Sequence, residues 1–227
     1  MLAIVLAVAG CGPVRERARP GAGGPPPLAE VGRLEIAGVQ VCAATLFTPR
    51  DAVTAAHCVP PELTRVTRAD VALVIGRGPA AQRFPIDAAE SFGGPGAPER
   101  GLNADVAVIH LARPVPPDLA RPRPLARAPI GPGEPVTFVA TADGDAPRLA
   151  AWPFDPSRSG RAMRPGDSGG PLLRGLPAEP GPIVAVGSGY ASTRCADEVP
   201  DAMTFGDVAA AAPAIERAVA GWAAPGR

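Results

Sequence analysis

Ser168 stands among glycines in Arg164-Pro165-Gly166-Asp167-Ser168-Gly169-Gly170-Pro171. A serine hydroxyl is a weak nucleophile until a base takes its proton and N–H groups receive the oxyanion that its attack creates. Glycines let the backbone turn sharply and bring such N–H groups close to a substrate. Alone, the stretch reads more readily as a Gly/Pro turn with an exposed serine. The chain upstream supplies the two missing groups. His57, one of only 2 histidines, lies in Thr54-Ala55-Ala56-His57-Cys58, and Asp105 heads the apolar run Val106 to Leu111. Each has a plainer reading: a structural histidine, and a turn aspartate before a strand. Together, in the order His, Asp, Ser, they are a base, an acid to orient it and a nucleophile, which is the set that acyl transfer needs.

Three segments carry a resemblance: Thr-Ala-Ala-His-Cys ending at Cys58, Asp-Val-Ala-Val starting at Asp105, and Gly-Asp-Ser-Gly-Gly-Pro ending at Pro171. With them the chain resembles the trypsin-like serine peptidases of the chymotrypsin fold, over roughly Leu34 to Trp222. The resemblance implies an all-β fold of two six-stranded antiparallel barrels with a C-terminal helix, and an active site in the cleft between the barrels. It implies Ser168 as nucleophile, His57 as general base and then acid, and Asp105 as the group that orients His57. By position in the motif, the N–H groups of Gly166 and Ser168 form the oxyanion hole.

More follows from the same resemblance. A disulfide is implied between Cys42 and Cys58, worth about 3 kcal/mol for a loop of this size. Gly187-Ser188-Gly189-Tyr190 resembles the segment that lines the substrate cleft and pairs with substrate backbone. Ser188 and Gly189 are therefore expected to bind substrate, with Ser188 also touching Asp105. Ala162, six residues before the nucleophile, is expected at the floor of the P1 pocket with Met163 beside it. No carboxylate is there, so a small or apolar P1 residue is expected; Arg161 and Arg164 are the charges that could overturn this. Asp167 is not the triad acid. In zymogen-activated relatives the residue at its position pairs with a proteolytically freed N-terminus. This chain has no matching Ile-Val-Gly-Gly start, and Ile36-Ala37-Gly38 sits too close to Cys42, so a site formed without cleavage is expected. Cys195 lacks the usual partner, since Arg164 stands at that position; a buried free thiol is expected, with an intermolecular disulfide as the alternative.

Strands must hold these groups. Leu34 to Val41, Cys42 to Phe47 and Ala52 to Ala56 read as strand-like runs leading to His57. Val71 to Gly76 reads as a buried strand. His110 alternates with Ile109 and Leu111, which predicts a solvent-facing side chain with no role. Pro114 to Pro135 reads as the crossover between halves. Val136 to Ala140, Leu172-Leu173 and Ile183 to Val186 supply the second half. Asp143-Gly144-Asp145 is turn chemistry, with no further ligands for a cation. Asp207 is a candidate N-cap for a closing helix whose face includes Val208, Ile215, Val219 and Trp222, with Pro213 expected to delay its start.

The whole chain bounds the rest. Lys+Arg and Asp+Glu balance at 22 each, which argues against nucleic acid or an anionic surface as partner. The 31 prolines and 27 glycines make about a quarter of the 227 residues, yet the apolar runs between them are strand-like. Met1 to Gly10 is apolar and precedes Cys11, which resembles the end of a bacterial lipoprotein signal. That predicts lipidation at Cys11, export, and a place on the bacterial cell envelope or in the medium. The Pro/Gly-rich stretch from Gly12 to Glu30 reads as a tether, and Val31 to Arg227 as the peptidase domain. No metal or organic cofactor is implied. The expected partner is a protein or peptide substrate, met by a monomer whose membrane contact is confined to the N-terminal lipid. The alternative is a catalytically silent, surface-tethered binding module on the same fold; retention of all three triad residues favours the enzyme.

Overall fold

The computed structural model describes residues 27–59, 70–93, 102–142, 147–155, 163–191 and 202–223. Cys11, Ala162, Cys195 and the Asp143-Gly144-Asp145 turn lie outside them. The apolar runs become strands, as β-branched and apolar residues do on a buried pleated surface. Six of them close on themselves: β1 (Val31–Ile36), β2 (Val39–Leu46), β3 (Asp51–Thr54), β4 (Val71–Ile75), β5 (Gln82–Ser91) and β7 (Ala107–Leu111). Their order around the barrel is β1-β2-β3-β7-β5-β4. Its pairs are antiparallel, with Thr54 opposite Ala107 and Leu34 opposite both Cys42 and Leu73. Closure leaves this half without an edge strand.

The second half is a six-stranded sheet, β6-β12-β11-β10-β8-β9. It comprises β8 (Pro135–Ala140), β9 (Arg148–Pro153), β10 (Pro171–Arg174), β11 (Ile183–Ala191), β12 (Ala202–Asp207) and the two-residue β6 (Leu102–Asn103). β6 belongs by sequence to the first half but pairs parallel with β12, Asn103 opposite Gly206. The chain is therefore all-β with one closed barrel and one sheet, joined by the proline-rich connector between β7 and β8.

The single helix of the described residues, α1 (Val208–Ala223), buries Val208, Ala212 and Ile215. Asp207 caps it, its Oδ1 accepting from Ala210 N at 2.9 Å. Pro213 sits inside the helix and does not delay its start. Phe84, Phe138 and Phe205 are fully buried; each contributes about 1.5–3 kcal/mol by leaving water. No helix of the described residues is long and apolar enough to cross a membrane.

Two further readings change on contact with the structure. Leu28 and Ala29 pack against the first core, and Glu30 is buried and bound by Arg123 Nε at 2.6 Å, so the domain starts before Val31. His110 does not face open solvent. Its Nδ1 lies 2.6 Å from Asp51 Oδ1, and its ring sits 5.2 Å from that of Trp222 on α1. Alternation on β7 placed it correctly outside the barrel, but α1 covers that outer face.

Candidate active site

His57 ends the strand-to-turn segment after β3, in a 3-10 turn over Ala56–Cys58. The Cys42–Cys58 disulfide staples this turn to β2. Asp105 precedes β7, which pairs with β3, so Asp105 and His57 are carried by neighbouring strands of one barrel. His57 Nδ1 lies 2.6 Å from Asp105 Oδ2, and the His57 backbone N–H donates to Asp105 Oδ1 at 2.9 Å. Two contacts to one carboxylate fix both the position and the tautomer of the imidazole, leaving Nε2 free of a proton to act as base. Asp105 is fully buried, while the His57 side chain is about a third exposed at 32%.

Burial opposes the charge on Asp105. The hydrogen bonds from the His57 side chain, Ser188 and the His57 N–H, together with the His57 charge, outweigh it and hold the carboxyl below its ordinary 3.8. Ser188 Oγ donates to Asp105 Oδ2 at 2.6 Å. It can do so because the ladder between β11 and β12 shifts register between Gly187 and Gly189. Such a bulge re-aims the extra side chain.

Ser168 reaches the site from the other half. The Ala43 N–H on β2 donates to the Ser168 carbonyl at 2.7 Å. Gly169, at φ +79°, lies so close beneath that a Cβ there would collide with the Ala43 carbonyl and Thr54 Oγ1. Thr54 Oγ1 in turn donates to that carbonyl at 2.7 Å. The loop that carries Ser168 is thus seated directly on β2 and β3, beside the disulfide next to His57. No hydrogen bond joins Ser168 Oγ to His57 among the described residues; Nε2 lies 3.6 Å from Cys58 Sγ. In such sites this bond often tightens only with substrate bound. Cys42, His57 and Cys58 bring three ligand-type atoms within 4.8 Å of one another, but the sulfurs are joined to each other and offer no thiolate to a metal.

The loop that carries Gly166 is held from below. Gly166 takes φ +91°, which glycine alone adopts without strain. Neither the Gly166 nor the Ser168 N–H donates to an acceptor among the described residues. Gln40 on β2 crosses between halves, its Nε2 donating to the Gly166 carbonyl at 3.2 Å and to Thr141 Oγ1 at 3.1 Å. Asp167 is fully buried, and its carboxylate is saturated. Oδ1 accepts from Thr141 N and Ala142 N, each at 2.8 Å, and Oδ2 from Arg164 N at 2.9 Å and Arg148 Nη2 at 2.6 Å. The cation facing Asp167 is therefore a side chain of β9.

The family model for trypsin matches residues 28–146, more than half of the chain. The chain belongs to the trypsin family. That match contains His57 and Asp105 and stops short of Ser168. Among solved structures, the trypsin-family chain is similar to the atomic-resolution structure of HBP, at 21% identity and TM-score 0.62, covering 88% of this chain and 94% of that one. At that identity the likeness speaks for the fold alone. Comparison with curated protein sequences finds no match.

Of the residues that sequence reasoning named, the structure brings His57, Asp105 and Ser188 into one network and forms the Cys42–Cys58 bridge. Met163 is buried, and its Cε fills the space where a side chain at Gly187 would sit. Gly189 follows Ser188 on β11, opposite Thr204. Gln40, Asn103 and Arg148 were missed. Nothing in their neighbours marks them, because each acts across more than a hundred, eighty-odd or nineteen positions of chain.

Proposed function

We propose that this trypsin-family chain is a serine endopeptidase, formed without proteolytic activation. The observation that carries the reading is the buried Asp105, gripping the His57 side chain and backbone together beside a loop with two N–H groups that donate to no acceptor among the described residues. Ser168 Oγ attacks a peptide carbonyl and passes its proton to His57 Nε2; Asp105 stabilises the resulting imidazolium. Gly166 N–H and Ser168 N–H receive the oxyanion. His57 then protonates the leaving amine, and water resolves the acyl-enzyme by the same steps in reverse order. Activation without cleavage is supported by Asp167, whose carboxylate is already engaged by Arg148 and three backbone N–H groups. A small or apolar P1 residue is the preference that Ala162 and Met163 favour. The same proposal extends to a monomer exported and anchored through a lipid on Cys11, supported by the apolar run before that residue.

A fluorophosphonate probe tests the chemistry. The purified chain should label without prior proteolysis, and Ser168→Ala should abolish labelling. A wild-type chain that stays unlabelled, before and after limited proteolysis, would instead be the silent binding module.

A further inference from the structure

We propose that Asn103 is a positioning residue of this site: its side-chain amide sets the direction of the Ser188 hydroxyl and thereby the charge that Asp105 presents to His57. The inference rests on the peptidase reading for its role in catalysis, though its geometry does not.

Three hydrogen bonds make a closed loop. The Asp105 N–H donates to Asn103 Oδ1 at 3.0 Å, Asn103 Nδ2 donates to Ser188 Oγ at 2.9 Å, and Ser188 Oγ donates to Asp105 Oδ2 at 2.6 Å. The polarity of the loop has one solution. A backbone N–H can only donate, so the amide atom facing it is the oxygen. The amide nitrogen then faces Ser188 and can only donate there. A hydroxyl has one proton; receiving from Asn103, Ser188 directs that proton at the carboxylate, which can only accept. Turning the amide over would set donor against donor at Asp105 and acceptor against the hydroxyl at Ser188.

The consequence falls on Asp105 Oδ2, which also faces His57 Nδ1 at 2.6 Å. One oxygen divides its charge between two donors, and Asn103 decides whether the second is there. The backbone supports this arrangement. Asn103 pairs with Gly206 on β12, where a Cβ would collide with the Asp105 carbonyl, so β6, β12 and the turn to Asp105 lie in direct contact. Asn103 itself touches neither the nucleophile nor the oxyanion donors among the described residues, so its influence runs through Ser188 and Asp105.

The test is the low-field proton resonance of His57 Nδ1–H in the intact chain. With only 2 histidines the spectrum is simple, and His110, bonded to Asp51, serves as internal reference. Asn103→Ala should move the His57 resonance downfield, because Oδ2 loses a competing donor, and leave His110 in place. The acid limb of the kcat/KM profile should move up, because Asp105 then presents more of its charge to the imidazole. In a Ser188→Ala background the same substitution should move neither. Asn103→Asp keeps the acceptor for the Asp105 N–H, and so the turn, but draws the hydroxyl towards itself; it should shift the resonance in the same direction and decides the matter if Asn103→Ala does not fold. An unmoved resonance in these variants, or an equal shift with Ser188 absent, would overturn the proposal. The resonance needs no turnover, so a chain that fails to react with the fluorophosphonate would sink the peptidase reading while leaving this one measurable.

Discussion

Asp105 is the residue on which the site's electrostatics turn. It is fully buried and held below its ordinary 3.8 by the His57 and Ser188 hydrogen bonds. A depressed carboxyl stabilises the fold above its unfolded-state value and loses that contribution as pH falls through the folded-state value. Asp105→Asn should therefore lose stability relative to wild type at pH 7, and the gap should shrink below about pH 3.8. Urea denaturation of both chains at pH 7 and pH 3 measures this. The same substitution should lower kcat by about 10⁴-fold by disturbing the tautomer. At this scale the sequence was informative wherever chemistry depends on a local word. Gly-Asp-Ser-Gly-Gly needs its glycines beside the serine, and the His57 turn needs its neighbouring cysteine. Asn103 was invisible because an asparagine before a strand is ordinary turn chemistry until its amide is seen to face Ser188.

Among the elements, β9 has the largest unforeseen task. It carries Arg148 to the buried Asp167 carboxylate, which sits directly under the oxyanion loop. Removing one partner of a buried ion pair leaves a stranded charge. In Arg148→Met the loop can relieve that charge by moving, and Gly166 N–H would move with it. We expect kcat/KM to fall by about 10²-fold, in line with loss of one oxyanion donor, with fluorophosphonate labelling slowed in parallel. Stopped labelling assays on both chains would measure it, and an unchanged rate would mean that the backbone donors to Asp167 suffice. Removing the other staple, Cys42→Ser with Cys58→Ser, should cost about 3 kcal/mol of stability, read as a lower midpoint in denaturant. Strand positions were legible because apolar runs here are bounded by Gly and Pro. Strand partners were not: the parallel pairing of β6 with β12 joins segments about a hundred positions apart and leaves no local trace.

For the whole molecule, the two halves meet in several places, among them the Ala43–Ser168 seat and, behind it, the site where Arg123 of the connector binds Glu30 as well as the Pro180 and Gly181 carbonyls. A chain started at Val31 lacks Glu30 and leaves Arg123 without its carboxylate. It should melt below one started at Leu28, by an amount on the order of 3 kcal/mol for a lost buried partner, measurable by thermal denaturation of the two. Composition had suggested a tether to Glu30 because Pro and Gly dominate up to Pro27; only the fold shows that the next three residues belong to the domain. The asymmetry between the halves has a further consequence. A closed barrel exchanges its inner amides only by opening as a unit, whereas a sheet whose ends, among the described residues, are β6 and β9 can fray from them. If the proposed peptidase reading holds, the chain is its own nearest substrate. On that reading, self-digestion should begin in the second half, which carries Ser168, so that each first nick silences the molecule that received it and leaves the barrel with His57 and Asp105 standing as an inert remnant.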